Sequence, residues 1–231
     1  MEEQSISKTL NYIDLGEIDY KEAWDLQKSL YEKRLNGEIP DTLLLLEHPH
    51  TYTLGKTADI KNLIGGDSYL KEKEITVYDI DRGGDITYHG PGQIVGYTIF
   101  DLKNWKQDTH LFLRALEDVI IKTSSDYNLA TSRNEKHTGV WIEDRKICAI
   151  GIKVSRWITM HGFAFNVNTD LELFNGIIPC GINDKKVTSL KKEFDKNFDI
   201  KSIKERILQN VEEIFGYDKI TRNDLELPIV T

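Results

Sequence analysis

The chain has 231 residues, of which 29% are charged and 39% hydrophobic, a balance typical of a folded globular protein. Its formal net charge is -8, so the composition gives no overall electrostatic footprint for binding nucleic acid. The longest apolar candidate, residues 43–46, is far too short to span a membrane and is expected to be a buried strand. We therefore expect neither nucleic acid nor a membrane as a partner.

The first residues are acidic and contain no apolar segment of the kind found in secretory signals. The two cysteines, Cys148 and Cys180, are expected to be free thiols, because a single disulfide is uncommon in a cytoplasmic chain of this size. We expect a cytoplasmic location. No repeat, low-complexity tract or flexible linker interrupts the chain, which predicts a single domain over residues 1–231.

Apolar residues recur at helical spacing in three stretches. The first, residues 20–35, follows a candidate N-cap, Asp19. The second begins near Asp108 or Thr109. The third begins at Asp199 and has lysines and glutamates on its polar face, which indicates a packing helix.

Stretches rich in β-branched and aromatic residues, bounded by turn formers, predict strands in the first half and the middle of the chain. They are residues 42–47, 75–80, 94–102, a hairpin formed by 139–142 and 146–154, and residues 157–167.

Residues 82–93 form the densest chemical signal, with four of the 16 glycines. Such a run is expected to be neither a regular helix nor a strand, and it permits a ligand to approach the backbone closely. Gly90, Gly92 and Gly96 are spaced one residue too widely for a dinucleotide fingerprint, and no P-loop lysine follows. The run is therefore no evidence for NAD binding or ATP hydrolysis, and an elaborate turn between strands is the alternative.

Cys180 lies between Pro179 and Gly181, in a short turn where a thiol can be presented to a substrate. A lone cysteine is more often a small buried hydrophobe, and Cys148, within an apolar alternation, fits that description.

His161 and Gly162 interrupt an apolar strand, which indicates a bulge or the close approach of a ligand. A lone histidine in this setting is more often structural. The histidines show no chelating spacing, so we expect no metal.

Taken together and in order, these motifs resemble the lipoyl (octanoyl) transferases over residues 10–190. The matching residues are Arg82-Gly83-Gly84, Thr87, His89-Gly90-Pro91-Gly92-Gln93, Lys146-Ile147-Cys148-Ala149-Ile150-Gly151, His161-Gly162-Phe163-Ala164, Asn166 and Pro179-Cys180-Gly181.

The resemblance implies an α/β (α+β) fold shared with biotin and lipoate protein ligases, with a mixed, mainly antiparallel sheet flanked by helices. It implies transfer of an octanoyl group from acyl carrier protein to a lysine of a lipoyl domain in 2-oxoacid dehydrogenase complexes or of the glycine cleavage H protein. It also implies a monomer that needs no cofactor.

The resemblance assigns Cys180 as the nucleophile and Lys146 as the group that assists it, with His161 in a supporting role. The residues that it assigns to the acyl substrate are Arg82, Gly83, Gly84, Asp85, Ile86, Thr87, Tyr88, His89, Ala149, Ile150, Gly151, Gly162, Phe163 and Ala164. The donors to the oxyanion are left open between the backbone beside Gly181 and the glycine-rich run.

Lys153 is the alternative to Lys146. Because the two lysines are seven residues apart, they are expected to point to opposite faces of a regular strand. Two other functions remain as alternatives: an ATP-dependent lipoate or biotin ligase, and a scaffold that only binds carrier domains.

Overall fold

The computed structural model describes residues 8–178 and 186–222. Within these ranges the helices are α1 (Tyr20–Leu35), α2 (Asp67–Glu72), α3 (Thr109–Asp126), α4 (Leu190–Phe194) and α5 (Ile200–Phe215). The strands are β1 (Thr9–Glu17), β2 (Asp41–Glu47), β3 (Thr51–Leu54), β4 (Thr76–Asp79), β5 (Ile86–His89), β6 (Gln93–Ile99), β7 (Ser132–Arg133), β8 (Val140–Ile142), β9 (Arg145–Ser155), β10 (Ile158–Asn166), β11 (Lys186–Val187) and β12 (Lys219–Arg222).

Most strands form one large mixed sheet in the order β12-β1-β2-β6-β10-β9-β8-β7, with β11 paired to β9. The pairs from β2 through β7 are antiparallel, whereas β1 is parallel to both of its neighbours. A small second sheet has the order β4-β3-β5. The predicted mixed, mainly antiparallel sheet with flanking helices is confirmed.

Helices cover both faces of the large sheet. Apolar residues of α3 and α5 pack with Leu43, Leu45 and Phe165 on one face. Residues of α1 pack with Leu44 and Leu46 on the other face. Successive leucines of β2 point alternately into the apolar cores on the two faces of the sheet. This alternation explains why the sequence of β2 is continuously apolar.

Glycines in the centre of the sheet permit unusually close backbone contacts. A Cβ added to Gly162 would lie 2.2 Å from the carbonyl oxygen of Gly96, and one added to Gly96 would lie 2.1 Å from the Phe163 ring. Gly162 also pairs with Gly151 of the adjacent strand. We call Gly96, Gly151 and Gly162 the glycine floor.

The three main helices begin where the sequence predicts. Asp19, Asp108 and Asp199 each accept hydrogen bonds from backbone amides of the first turn of the helix that follows. The strand predicted over residues 94–102 is shorter, because the chain turns after Ile99 and enters a 3₁₀ helix at Leu102.

One expectation about the glycine-rich run is wrong. Residues 86–89 of this run form β5, which pairs with β3 in register from Ile86 to His89. The glycines lie on either side of this strand, so they shape its two ends and do not interrupt it. Among the helices in the described part of the chain, none is both long and apolar enough to cross a membrane.

We predict that Gly162→Ala destabilises the protein by roughly 1–3 kcal/mol or more, because the added methyl overlaps a backbone oxygen that cannot move away alone. Urea unfolding monitored by circular dichroism measures the effect. Gly66→Ala is the matched control, since a Cβ at Gly66 meets nothing within 4 Å. Equal stability of the two variants would contradict the close contact.

Candidate active site

A cavity of about 350 Å³ lies between the middle of the large sheet and the small sheet. Its walls combine apolar side chains, such as Val95 and Phe163, with two residues of the glycine floor, Gly151 and Gly162. This volume falls in the range of small-molecule sites.

Most residues that the resemblance assigns to the site line this cavity. They are Arg82, Gly83, Gly84, Asp85, Ile86, Thr87, His89, Lys146, Ala149, Ile150, Gly151, His161, Gly162, Phe163 and Ala164. Tyr88 is not among the lining residues, and its hydroxyl forms a hydrogen bond with the Nδ1 atom of His50 at 2.8 Å. Cys180 lies outside the described residues. The roles of all these residues stay predictions.

The segment 82–84 rests directly on the backbone of β9. The Gly83 amide donates to the carbonyl of Ile152 at 2.9 Å, and a Cβ at Gly151 would lie 2.9 Å from the Gly83 carbonyl oxygen. The Ile86 amide donates to the Asp85 carboxylate at 2.7 Å. The amides of Gly83 and Ile86 are therefore occupied, which removes them as candidate oxyanion donors.

A directional chain of hydrogen bonds begins at Arg82. Its Nη2 atom donates to the Thr53 hydroxyl at 2.8 Å, and that hydroxyl lies 3.3 Å from Nε2 of His89. The Nδ1 atom of His89 lies 2.8 Å from Oε1 of Gln93. The amide oxygen accepts here, so Nδ1 carries the proton and Nε2 accepts from Thr53.

The same chain continues to the backbone of Lys146. Gln93 donates to Asn166 at 2.9 Å, and Asn166 donates to the carbonyl of Thr188 at 3.0 Å. The Thr188 amide donates to the carbonyl of Lys146 at 3.0 Å. Buried side chains thus connect the glycine-rich segment with the strand that carries Lys146.

Three buried histidines around the cavity are held neutral. Burial lowers the pKa of His48 to about 4, and it also lowers the pKa values of His89 and His161. The Nδ1 atom of His48 donates a hydrogen bond to the carbonyl of Ile18 at 2.8 Å. Its Nε2 atom forms a hydrogen bond with the hydroxyl of Tyr97 at 2.7 Å. Neutral imidazoles satisfy these contacts without the cost of a buried charge.

His161 combines an unusual backbone conformation with a hydrogen bond to a carboxylate. Its φ is +60°, in the left-handed region that side chains rarely adopt, and its amide donates to Oε1 of Gln27 at 2.8 Å. Its Nε2 atom lies 2.8 Å from the Asp81 carboxylate, whose other oxygen accepts from Lys153 at 2.6 Å. The hydrogen bond from His161 lowers the pKa of Asp81 most, and the hydrogen bond from Lys153 lowers it further.

The expectation that Lys146 and Lys153 face opposite ways is wrong, because β9 contains a bulge. Val140 pairs with Cys148 but Trp141 pairs with Lys146, which leaves Ile147 as an extra residue. Ile147 and the adjacent Cys148 both pack into the core beneath α3. Lys146 is consequently turned to the same face as Lys153.

Position along the strand still separates the two lysines. Lys146 lines the cavity, and its ammonium lies 4.8 Å from the centre of the Trp141 ring. Lys153 is not a lining residue, and its ammonium binds Asp81.

A buried carboxylate holds the segment beside Lys146. Glu117 of α3 is fully buried, and it accepts from Arg114 at 2.7 Å, from Arg133 at 3.0 Å and from the amide of Gly139 at 3.0 Å. Gly139 has a φ of +129°, and a Cβ there would lie 2.6 Å from the carbonyl oxygen of Cys148. Only glycine fits this approach to β9.

Sequence reasoning missed several residues of the site. Asp81, the neighbour of Arg82, becomes important only when folding brings it to His161. Tyr20, Tyr97 and Lys136 line the cavity from elements far apart in the sequence, and no local pattern marks them. Within residues 8–178 and 186–222, no cluster of three or more His, Cys, Asp or Glu side chains is arranged to hold a metal ion.

Comparison with solved structures identifies the fold. A lipoate protein ligase of Thermoplasma acidophilum with bound lipoic acid superimposes with a TM-score of 0.71 at 13% identity, covering 93% of this chain and 89% of the other. A biotin protein ligase from Aquifex aeolicus superimposes with a TM-score of 0.50 at 15% identity, over 90% of this chain and 69% of the other. The predicted fold of biotin and lipoate protein ligases is confirmed.

Sequence comparison is more specific. The model of the lipoyl protein ligase A/B catalytic domain matches residues 19–212. An octanoyltransferase of Flavobacterium psychrophilum is 47% identical over 227 residues, which cover 91% of this chain and 98% of that protein. The chain belongs to the lipoyl protein ligase A/B catalytic-domain family and, within it, to the octanoyltransferases, which are acyltransferase enzymes.

We predict that the buried histidines make the protein less stable below pH 6.5. The folded pKa of His48, about 4, lies below the unfolded value of about 6.5, so the unfolded chain binds more protons in between. The contribution of His48 is complete above pH 6.5 and falls by about 2 kcal/mol from pH 7 to pH 5. Urea unfolding at both pH values measures this loss.

The variant His48→Gln should show a pH-dependent loss that is smaller by roughly this amount, whatever its absolute stability. His110→Gln is the matched control, because His110 is exposed on α3, and it should keep the wild-type slope. A His48→Gln slope equal to that of the wild type would refute the assignment.

Proposed function

We propose that this enzyme transfers an octanoyl group from the thioester of acyl carrier protein to the ε-amine of a lysine on a lipoyl domain, through a thioester on Cys180. The acceptors would be lipoyl domains of 2-oxoacid dehydrogenase complexes or the glycine cleavage H protein. The proposal includes a monomer and a cytoplasmic location, which is compatible with the free thiol of Cys148.

The observation that carries the proposal is the cavity, because it combines Lys146 with apolar walls in a chain that is 47% identical to an octanoyltransferase. Each methylene of an acyl chain that enters an apolar site contributes about 0.8 kcal/mol to binding. An octanoyl chain therefore has enough apolar surface to be held mainly by these walls.

In the first step the sulfur of Cys180 attacks the thioester carbonyl, and Lys146 takes the proton of the thiol. The carrier thiol leaves with a proton returned by Lys146, and the octanoyl group stays on Cys180 as a new thioester. A cysteine with a pKa of about 8.5 is only a few per cent thiolate at neutral pH, so a neighbouring base is needed.

In the second step the ε-amine of the acceptor lysine attacks the Cys180 thioester. The carbon–sulfur bond breaks, an amide forms, and the proton lost by the amine returns to the Cys180–Lys146 pair. A thioester is exchanged for an amide, and the reaction needs no nucleotide.

The backbone of Lys146 is held by the strand beside it. Val187 of β11 pairs with Lys146 of β9, and the amide of Thr188 donates to the Lys146 carbonyl at 3.0 Å. Lys146 is therefore on a fixed part of the cavity wall, as its proposed role requires.

The proposal predicts that octanoyl carrier protein, mixed with the enzyme, adds one octanoyl group that thiols remove. Intact-mass spectrometry without ATP or magnesium detects this adduct. Cys180→Ser should lack the thiol-labile adduct, whereas Cys148→Ala should keep it, since Cys148 is fully buried. Strict dependence on ATP would favour a ligase, and an unchanged adduct in Cys180→Ser would remove this residue from the mechanism.

We predict that Lys146→Ala lowers octanoyl transfer by about 100-fold to 10,000-fold, the usual contribution of general acid–base catalysis. Lys153→Arg should keep most of the activity, because arginine can retain the ion pair with Asp81. Single-turnover transfer to a lipoyl domain measures both variants. Near-normal activity of Lys146→Ala with collapse of Lys153→Arg would reverse the assignment.

A further inference from the structure

The two most exposed large apolar side chains of the described residues are four positions apart in a segment that is bonded to the cavity wall. Ile60 and Ile64 are 64% and 55% exposed, and they belong to the short segment 55–66. Large apolar side chains at such exposure in one segment are typical of a binding surface.

Segment 55–66 is firmly attached to the glycine-rich segment. The amides of Lys56 and Thr57 donate to the carbonyls of Arg82 and Gly84 at 3.0 and 3.3 Å. The side chain of Asn62 donates to the carboxylate of Asp85 at 2.7 Å. The residues that it holds, 82, 84 and 85, all line the cavity.

The other edge of segment 55–66 is attached to residues 176–178. The amides of Ile64 and Gly65 donate to the carbonyl of Gly176 at 3.0 and 2.8 Å, and Leu63 forms a bridge with Ile177. Ile60 and Ile64 are therefore on a fixed part of the fold next to the cavity.

The charges here are opposite to those of the whole chain. Segment 55–66 carries the exposed side chains of Lys56, Lys61 and Asp59, a formal balance of 2 − 1 = +1. In the described residues the cavity has three cationic side chains, Arg82, Lys136 and Lys146, and the carboxylate of Asp85, a formal balance of 3 − 1 = +2. The whole chain has a net charge of -8.

We propose that Ile60, Ile64, Lys56 and Lys61 form the docking surface for the acidic carrier domain that delivers the acyl thioester. This inference rests on the proposed function and adds the surface on which the donor is recognised. Acyl carrier proteins are acidic, and an acidic domain is repelled by a chain of net negative charge except where cations are concentrated. The segment that carries these two lysines is bonded to Arg82, Gly84 and Asp85 of the cationic cavity. The isoleucines supply the apolar centre that such an interface requires.

The test compares two donors of the same acyl group, octanoyl carrier protein and the small thioester octanoyl-pantetheine, with a lipoyl domain as acceptor. In the double variant Ile60→Ser/Lys61→Glu, KM for the carrier-bound donor should rise roughly tenfold, the effect of losing an interface centre. KM for octanoyl-pantetheine and for the acceptor should stay unchanged.

The matched control is Leu111→Ser/Lys219→Glu, which makes the same two types of change at an exposed leucine of α3 and on the outer strand β12. This control should leave all KM values unchanged. Urea unfolding of both double variants verifies that each is folded.

The outcomes distinguish failure of the docking surface from failure of the proposed function. The docking assignment would be overturned if KM rises only for the acceptor, rises equally for both donors, or does not change. It would also be overturned if Ile60→Ser/Lys61→Glu only changes the oligomeric state measured by light scattering. Absence of transfer from either donor by the unchanged protein would overturn the proposed function and this inference with it.

Discussion

The cavity depends on one backbone contact, the approach of segment 82–84 to β9 at Gly151. A side chain at position 151 would lie 2.9 Å from the Gly83 carbonyl and 3.3 Å from Cδ of Arg82, so only glycine lets the segment reach the strand. The hydrogen bond from the Gly83 amide to the Ile152 carbonyl then holds segment 82–84 at a fixed distance from the sheet. Arg82, fixed in this way, begins the hydrogen-bond chain that passes through His89 to the backbone of Lys146. A contact between two glycines thereby sets the geometry of both cavity walls.

Burial determines which side chains around the cavity carry a charge. The three histidines have lowered pKa values because they are buried, so they serve as neutral hydrogen-bond partners at physiological pH. The charges that remain on the cavity wall belong mainly to lysine and arginine. A chain with a formal charge of -8 thus presents a locally cationic cavity, as the proposed acidic donor would require.

Local patterns predicted the parts of the fold that depend on neighbouring residues. The N-terminal starts of α1, α3 and α5 follow from their aspartate caps, and the four leucines of β2 indicate a strand buried on both faces. The strand β5 was not predicted because the glycines on its two sides conceal a four-residue stretch that is stable only when paired with β3. The contact of Asp81 with His161 joins residues 80 positions apart, and no spacing rule foresees it. The motifs did collect most of the cavity lining, because the glycines and polar residues in them are those that a ligand approaches.

The bulge at Ile147 has two consequences for the chemistry that the family resemblance suggests. It directs Ile147 into the core under α3 beside Cys148, whose burial raises the pKa of its thiol far from the range in which a thiolate forms. It also turns Lys146 out of that core and toward the cavity, where a regular strand would have placed it with the apolar residues. One extra residue in β9 therefore determines that Lys146, rather than Ile147, faces the cavity. Because burial keeps the Cys148 thiol protonated, the proposed covalent mechanism assigns the nucleophile to Cys180.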